Sequence, residues 1–469
     1  MADSEAPARA TTPRDLTTGP IAKTLLFFAL PTLGANVLQS LNGSINSIWV
    51  GRFLGEAALA ATANANTIMF LMFSAIFGLA MATTIMIGQS VGARDMGAAR
   101  QVLGSSIGLV LLIAVATAII GWIETPRLLR LLSTPAAVMP LAVDYLRFIF
   151  VGMPFSFMTV VLAAAMRGAG DAVTPLRAMV VGVIVDAGLN PFLILGLGPF
   201  PAWGIAGSAI ATLVASLVST VYLVERLMRR DNPLRIGRAE ARCLIPRGAL
   251  ARAIVGKGVP MGLTLIVLSA SMIAMMGLVN REGVDTGAAF GAISQLWNYI
   301  QMPALAIGAA VSAMAAQNVG AGRWDRVERI AWAGSWMNIA ITSAAIVAIT
   351  LADRWLLGLF LPPGSVAIGI GVHIHHVVSW SFILFGVSLV LSSVMRANGA
   401  VIAPLLILFV AFFPVRFGAA LAFYPTWRAE AIWWSFPLGS VVALILTLAY
   451  YRRGNWRQGR TLASVATSG

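Results

Sequence analysis

The residue of this chain best placed to do chemistry is an acid within a long apolar run. Asp186 lies twelve residues into the run 174–197, among valine and isoleucine side chains. Asn190 follows four residues later, on the same face of a helix, and Pro191 removes a backbone donor and leaves carbonyl oxygens free. A carboxylate in such surroundings can exchange a proton during turnover. Asp186 and Asn190 are therefore predicted to bind a proton or sodium ion. The alternative is that Asp186 bonds to Asn190 only to hold helices together.

Polar stripes on two other apolar runs predict a substrate cavity, because lipid would reject such faces. The first stripe consists of Asn36, Gln39, Gly43, Asn46 and Ser47, and the second of Gln295, Asn298, Tyr299 and Met302. Interhelical hydrogen bonding, worth about 0.6 kcal/mol on average, is the competing explanation for each. Prolines at positions 31, 191 and 260 are predicted hinges, since proline is a common cause of helix kinks.

Other chemistry finds little support in the sequence. His373, His375 and His376 lie near a span end without a carboxylate or cysteine close by in sequence, so pH-sensitive interfacial histidines are favoured over a metal site, and no metal ligands are predicted. Asp144 precedes Arg147 by three residues, a spacing that allows a structural ion pair. A nucleotide-binding P-loop motif and an intramembrane catalytic constellation are both missing, so neither ATP-driven transport nor a membrane-embedded enzyme is expected.

The elements that must position these residues are membrane-spanning helices. Of 469 residues, 59% are apolar or aromatic and 11% are charged, whereas a soluble domain carries roughly a quarter charged residues. Twelve apolar runs are long enough to cross about 30 Å of hydrocarbon. The predicted fold is an all-α polytopic membrane protein with twelve transmembrane helices in two six-helix lobes related as parallel repeats.

The net charge of +14 indicates orientation. If the N-terminus is cytoplasmic, 24 of the 32 Lys and Arg residues lie in cytoplasmic segments and 6 in external ones. The positive-inside rule therefore predicts a multi-pass protein of the bacterial inner membrane with both termini in the cytoplasm. Nucleic-acid binding would need a basic cluster on one face with interleaved aromatics, so no nucleic-acid partner is expected.

An internal repeat divides the chain. QSVGA at residues 89–93 returns as QNVGA at 317–321, and the segment 162–176 (LAAAMRGAGDAVTPL) returns as 391–405 (LSSVMRANGAVIAPL). Parallel six-helix repeats leave a cleft between them as a substrate path. The predicted units are a cytoplasmic N-terminal tail (1–21), an N-lobe with helices 1–6 (22–228), a basic cytoplasmic linker (229–249), a C-lobe with helices 7–12 (250–452) and a cytoplasmic C-terminal tail (453–469).

These repeated motifs, with GRFLG at residues 51–55 and GIAGSAIAT at 204–212, resemble the multidrug and toxic compound extrusion (MATE) transporters over residues 20–452. The resemblance implies a secondary active antiporter, coupled to H+ or Na+, that exports small amphipathic cations by alternating access. It implies no cofactor beyond the transported ion, and we expect a monomer surrounded by membrane lipid. A lipid-linked oligosaccharide flippase of the same superfamily is the alternative, and a membrane-embedded enzyme ranks third.

The chain departs from the family at its acidic residues. Members usually carry Asn followed four residues later by Asp-Pro in the fifth span, whereas this chain has Asp186 and then Asn190-Pro191. The family often has Asp in the first span where this chain has Asn46. Either Asp186 acts alone with Asn46 and Asn190 as neutral ligands, or the coupling differs.

Overall fold

A computed structural model describes residues 15–197, 201–229, 232–237 and 242–458. The predicted N-terminal tail, linker and C-terminal tail lie partly outside these ranges. Within them, every regular element is a helix, as the apolar composition predicts.

The first five helices build the N-lobe. They are α1 (Ile21–Gly92), α2 (Met96–Leu131), α3 (Met139–Gly168), α4 (Val173–Leu195) and α5 (Gly204–Met228). Helix α1 has 72 residues, about 110 Å of helix, which is too long for one crossing. Its backbone is non-helical at Gly55, where φ of 83° and ψ of −176° favour glycine. Gly55 therefore divides α1 into the first and second membrane segments.

The remaining helices build the C-lobe. They are α6 (Gly248–Val279), α7 (Val284–Gly320), α8 (Trp324–Leu351), the short α9 (Asp353–Leu357), α10 (Val366–Val378), α11 (Ser381–Ala397), α12 (Ile402–Val410), α13 (Gly418–Trp427) and α14 (Ala429–Arg453). A 3₁₀ turn, Asn280–Glu282, follows α6, and another, Asn455–Gln458, follows α14. Between α12 and α13 the chain forms a π-helix, Ala411–Phe417. Helices α10 and α11 are bent by 47° and together form one broken span.

Twelve segments result from this arrangement. Ten helical stretches of the described chain are long and apolar enough to cross a membrane, and the bent pair α10 and α11 supplies an eleventh. The break at Gly55 makes two segments of α1, which gives the twelfth. The predicted twelve-helix, all-α fold is confirmed.

The two lobes meet where the repeated Gln-x-Val-Gly motifs cross. A Cβ atom on Gly92 would lie 1.9 Å from the carbonyl oxygen of Gln317, and one on Gly320 would lie 1.9 Å from that of Gln89. Only glycine permits this approach. Each motif supplies one glycine that packs against the glutamine of the other motif. We call the end of the helices that carries this crossing the terminal face, because Leu16 contacts it, and the opposite end the far face.

The hydrophobic packing differs between the two faces. One cluster of buried side chains joins the N-lobe to the terminal half of the C-lobe, including residues 307–331 and 387–401. A separate cluster fills the far half of the C-lobe, and its buried members all come from residues 275–436. The lobes therefore share a core at the terminal face, whereas their far halves pack separately.

Candidate functional site

Asp186 and Asn190 lie on α4 and are both buried, Asp186 with 2% of its surface exposed. The Asn190 Nδ2 atom donates a hydrogen bond of 2.9 Å to the backbone oxygen of Asp186. On α5, the Thr212 hydroxyl donates to the Asp186 Oδ1 atom at 3.2 Å. The Asn42 side chain of α1 also lies beside the Asp186 carboxyl group. All these partners are neutral, and none of the ion pairs within the described residues includes Asp186.

Asn46 joins the same cluster from α1. Its Oδ1 atom accepts a 2.6 Å hydrogen bond from the Ser208 hydroxyl of α5. Tyr145 of α3, which is buried, lies beside the Asn46 side chain and within electrostatic range of Asp186. The three residues predicted to bind the coupling ion therefore lie in one polar cluster inside the N-lobe.

Four members of this cluster were not among the predicted residues. Asn42 precedes Asn46 by one helical turn, so the spacing of the polar stripe could have identified it. Ser208 and Thr212 both belong to the GIAGSAIAT motif, where their four-residue spacing places them on one face of α5. Tyr145 carries no such signal, because only the packing of α3 against the other helices brings it to the cluster.

Two of the residues beside Asp186 carry unpaired oxygen atoms. The Oδ1 atoms of Asn42 and Asn190 are buried and have no hydrogen-bond partner among the described residues. Buried acceptors without a donor are costly, and a cation or a protonated group relieves that cost. The carboxylate, these two oxygens and a hydroxyl group are ligands that suit a proton or a hard monovalent cation.

The predicted stripe on the first span is divided by the fold. Asn42 and Asn46 lie in the N-lobe cluster, whereas Gln39, Gly43 and Ser47 are exposed and Asn36 is half-buried. A Cβ atom on Gly43 would have no neighbour within 4 Å. One side of this helix therefore serves the buried cluster, and the adjacent side borders open space.

The stripe on the eighth span, in α7, is also exposed. Gln295, Asn298 and Tyr299 are exposed and Met302 is half-buried, while the neighbouring Trp297 is fully buried. Polar side chains inside a span are costly against lipid. The role of these residues in lining a substrate cavity stays a prediction.

The predicted hinge prolines all lie inside helices. Pro31 is in α1, Pro191 in α4 and Pro260 in α6, and the non-helical backbone of α1 is at Gly55 instead. In this conformation none of the three prolines ends its helix, so their hinge role stays a prediction.

The histidines near the far end of the C-lobe bind separate partners. His373 pairs with Glu430 at 2.6 Å, His376 with Asp353 at 3.0 Å, and His375 with the Thr350 hydroxyl at 3.0 Å. Over the described ranges, no group of three or more His, Cys, Asp and Glu side chains is arranged to hold a metal ion.

Arg147 does not form the ion pair that its spacing from Asp144 allowed. Its guanidinium group instead lies over the Trp122 ring, 5.4 Å from the ring centroid. No ion pair between Asp144 and Arg147 occurs in the described part of the chain.

Paired hydrogen bonds close the terminal face. The Gln89 Nε2 atom donates to the Ala397 carbonyl at 2.7 Å, and the Gln317 Nε2 atom donates to the Gly168 carbonyl at 2.9 Å. Gly168 and Ala397 themselves occupy equivalent positions in the internal repeat. Each repeated glutamine therefore binds the end of a helix in the opposite lobe, so the two motifs form a symmetric contact between lobes.

The segment 15–19, which we call the N-terminal strap, lies across this contact. Leu16 is buried with 1% exposure, its N–H donates to the Gln317 Oε1 atom at 3.1 Å, and its carbonyl accepts from the Asn318 Nδ2 atom at 3.1 Å. Arg323 and Arg326 donate to the carbonyl oxygens of residues 17, 18 and 19. The strap therefore stabilises the closed terminal face.

Asp15 fixes the beginning of the strap. Partial burial on its own raises the pKa of Asp15, but hydrogen bonds from Thr17 and the charges of Arg323 and Arg94 outweigh it. The pKa of Asp15 is consequently held below its ordinary value of 3.8. The carboxylate is charged at neutral pH and remains so in mild acid.

Twelve apolar helical segments in two lobes, with a buried polar cluster and polar faces inside the spans, define a polytopic membrane transporter. A family model described as MatE matches residues 31–192 and again residues 260–421. The chain therefore belongs to the MatE family of multidrug efflux transporters, whose members are transporters rather than enzymes and need no cofactor. The two matched segments are related by the same offset as the internal repeat.

Individual relatives agree with this assignment. The chain is 34% identical over 432 residues to the probable multidrug resistance protein YoeA of Bacillus subtilis, covering 92% of this chain and 93% of YoeA. It is 30% identical over 449 residues to the probable multidrug resistance protein YpnP of the same organism, covering 94% and 97%. A solved structure described as MATE in the bent conformation has a TM-score of 0.86, with 22% identity and coverage of 97% and 98%. This last similarity concerns the fold alone.

Proposed function

We propose that this chain is a secondary active exporter, an antiporter that exchanges H+ or Na+ for its substrate, and that Asp186 carries the coupling ion. The observation behind the proposal is a buried carboxylate whose neighbours are neutral side chains, two of which have unpaired oxygen atoms. A charged group in the membrane interior is costly and therefore requires a reason. Periodic binding of a cation supplies that reason. Asn46 and Asn190 act as neutral ligands in this scheme.

Alternating access between the lobes is the mechanism we infer. The lobes share a core and reciprocal hydrogen bonds at the terminal face, while their far halves pack as separate clusters. Such an arrangement supports a state with the cleft open at the far face. The excess of Lys and Arg in segments at the terminal face supports placing that face in the cytoplasm of a bacterial inner membrane. The cleft would then open to the outside.

Small amphipathic organic cations are the proposed substrates. The relatives YoeA and YpnP are named probable multidrug resistance proteins, and the exposed polar faces of α1 and α7 offer hydrogen-bonding groups with no fixed charge. Membership of the MatE family does not favour the flippase alternative.

The test is transport by purified protein in proteoliposomes. Ethidium export is measured with a pH gradient alone, a Na+ gradient alone, and neither. Wild-type protein should respond to one of the two gradients. Asp186→Asn, which keeps the side-chain shape, should lose that response, whereas Asp144→Asn, the same change at an exposed position in α3, should keep it. Gradient-driven export by Asp186→Asn at the wild-type rate would refute the proposal.

A further inference from the structure

Arg396 is a buried arginine near the terminal end of α11, and the mechanism above gives it no role. It is 5% exposed. Its Nε atom is buried and has no hydrogen-bond partner among the described residues. Within the same residues its guanidinium group makes one hydrogen bond, a long contact of 3.4 Å from Nη2 to the Ser393 Oγ atom. Arginine is always charged in proteins and carries five N–H donors, so most of its hydrogen-bonding capacity is unused.

A small cavity inside the C-lobe has Arg396 in its wall. Helices α6, α11, α12 and α14 surround the cavity, and its volume is about 30 Å³. A water molecule needs at least about 10–15 Å³ of cavity space, so this cavity has room for one small ion or about two waters and excludes organic ligands. Three hydroxyl groups lie in the same wall, those of Thr264, Ser388 and Ser392, and the other lining side chains are apolar.

The Ser392 hydroxyl is the second free donor of this wall. Ser392 lies one helical turn before Arg396, on the same face of α11. The other two hydroxyls are engaged: that of Thr264 donates to a carbonyl of its own helix at 3.1 Å, and that of Ser388 is 2.7 Å from the Thr447 hydroxyl. The Ser392 hydroxyl has no hydrogen-bond partner in the part of the chain that the structure describes. The cavity therefore combines a guanidinium group with an unused hydroxyl donor.

The helices around the cavity supply no carboxylate to neutralise Arg396. Helices α6, α11 and α12 contain no Asp or Glu, and the acid of α14, Glu430, lies about 20 Å along the helix from the lining residue Ala443. Lys257 of α6 adds a second cation, since its Nζ atom donates to the Gly399 carbonyl at 2.7 Å, three residues after Arg396. Neither cation belongs to an ion pair within the described ranges. A buried charge without a counter-ion is strongly destabilising, so the cavity favours an anion over water.

We infer that this cavity binds one small monovalent anion, chloride or a similar halide, beside Arg396. The ion accepts hydrogen bonds from the guanidinium group and from the Ser392 hydroxyl, and the apolar remainder of the wall strengthens these charge-assisted bonds. The volume of the cavity excludes a lipid phosphate or a carboxylic acid. The bound ion holds α6, α11 and α12 together at the part of the C-lobe, residues 387–401, that shares its core with the N-lobe. The site is separate from the Asp186 cluster and does not rest on the proposed function.

Thermal unfolding of the purified protein tests the inference. Chloride replaces gluconate at constant sodium concentration and ionic strength, because gluconate is too large for the cavity. The Tm of the wild-type protein should rise and saturate as the site fills, as expected for a ligand that binds only the folded state. Arg396→Gln should abolish the saturable rise, and Ser392→Ala should raise the chloride concentration that gives half the effect roughly tenfold. Anomalous diffraction from bromide-soaked crystals should place one bromide between Arg396 and Ser392.

Arg167→Gln is the matched control, because Arg167 is the repeat counterpart of Arg396 and Ala163 stands where the C-lobe has Ser392. It should keep the wild-type response to chloride. A wild-type Tm that is equal in chloride and gluconate would overturn the inference and leave water as the occupant. So would a saturable rise that survives in Arg396→Gln, which would place the anion elsewhere. If Arg396→Gln does not fold, Ser392→Ala still decides, because an unchanged half-maximal chloride concentration would exclude this site. None of these outcomes affects the gradient test of Asp186.

Discussion

Replacing Gly92 by alanine should open the terminal face. The new Cβ atom would lie 1.9 Å from the Gln317 carbonyl oxygen, and real Cβ contacts are essentially never under 3.0 Å, so α1 and α7 must separate by about 1 Å. Overpacking of this kind costs about 1–3 kcal/mol. The strain exists only where the two motifs touch, so it destabilises the closed conformation and not the open one. The ratio of closed to open molecules should therefore fall by roughly 5- to 150-fold.

Distances between spin labels across the terminal face provide the assay. Labels at Ala93 in the N-lobe and Arg329 in the C-lobe, both exposed, are introduced with Cys243 replaced by serine. Gly92→Ala should add or enlarge a population with longer distances. Gly256→Ala is the control, because a Cβ atom at Gly256 meets nothing within 4 Å and should leave the distances unchanged. If Gly92→Ala has the wild-type distance distribution, the reciprocal contact does not hold the face closed.

Four further predictions concern the strap, the polar cluster and the orientation. Leu16→Ala removes a buried side chain and should destabilise the docked strap by about 2 kcal/mol, seen as faster hydrogen exchange in residues 15–19. Because the pKa of Asp15 is lowered, exchange protection should persist from neutral pH to about pH 4 and be lost as the pH falls below 3.8; loss near pH 6 would contradict this. Thr212→Val should lower the free energy of unfolding by about 1–3 kcal/mol in wild type but by less in Asp186→Asn, and equal losses would show that the hydrogen bond does not stabilise the carboxylate. Cys243 is half-buried in the segment that precedes α6, at the terminal face. An impermeant maleimide should label it in inverted vesicles and spare it in right-side-out vesicles, and the reverse pattern would place the terminal face outside.

The general architecture could be predicted from the chain because membrane-spanning helices are recognised by their length and apolar composition. The repeat could be found as well, since QSVGA and QNVGA kept their order and spacing. The sequence did not show what this motif does in the fold. Gly92 and Gln317 belong to different halves of the chain, and their fit depends on how two lobes pack.

The candidate site was predictable only in part. Asp186 and Asn190 share a helix face, so their spacing predicted their proximity. Tyr145 belongs to a different helix, and no periodicity within one helix indicates a contact with another. The π-helix Ala411–Phe417 likewise leaves no recognisable pattern in the residues.

Whether Asp186 couples substrate movement to an ion gradient, as we propose, is decided by comparing uphill with downhill transport in one set of proteoliposomes. Wild-type protein should concentrate ethidium against its gradient when the coupling ion gradient is imposed. Asp186→Asn should still let ethidium equilibrate down its own gradient, because the cavity faces of α1 and α7 are intact, but should not concentrate it. Uphill accumulation by Asp186→Asn at the wild-type level would show that Asp186 does not couple transport to the ion gradient.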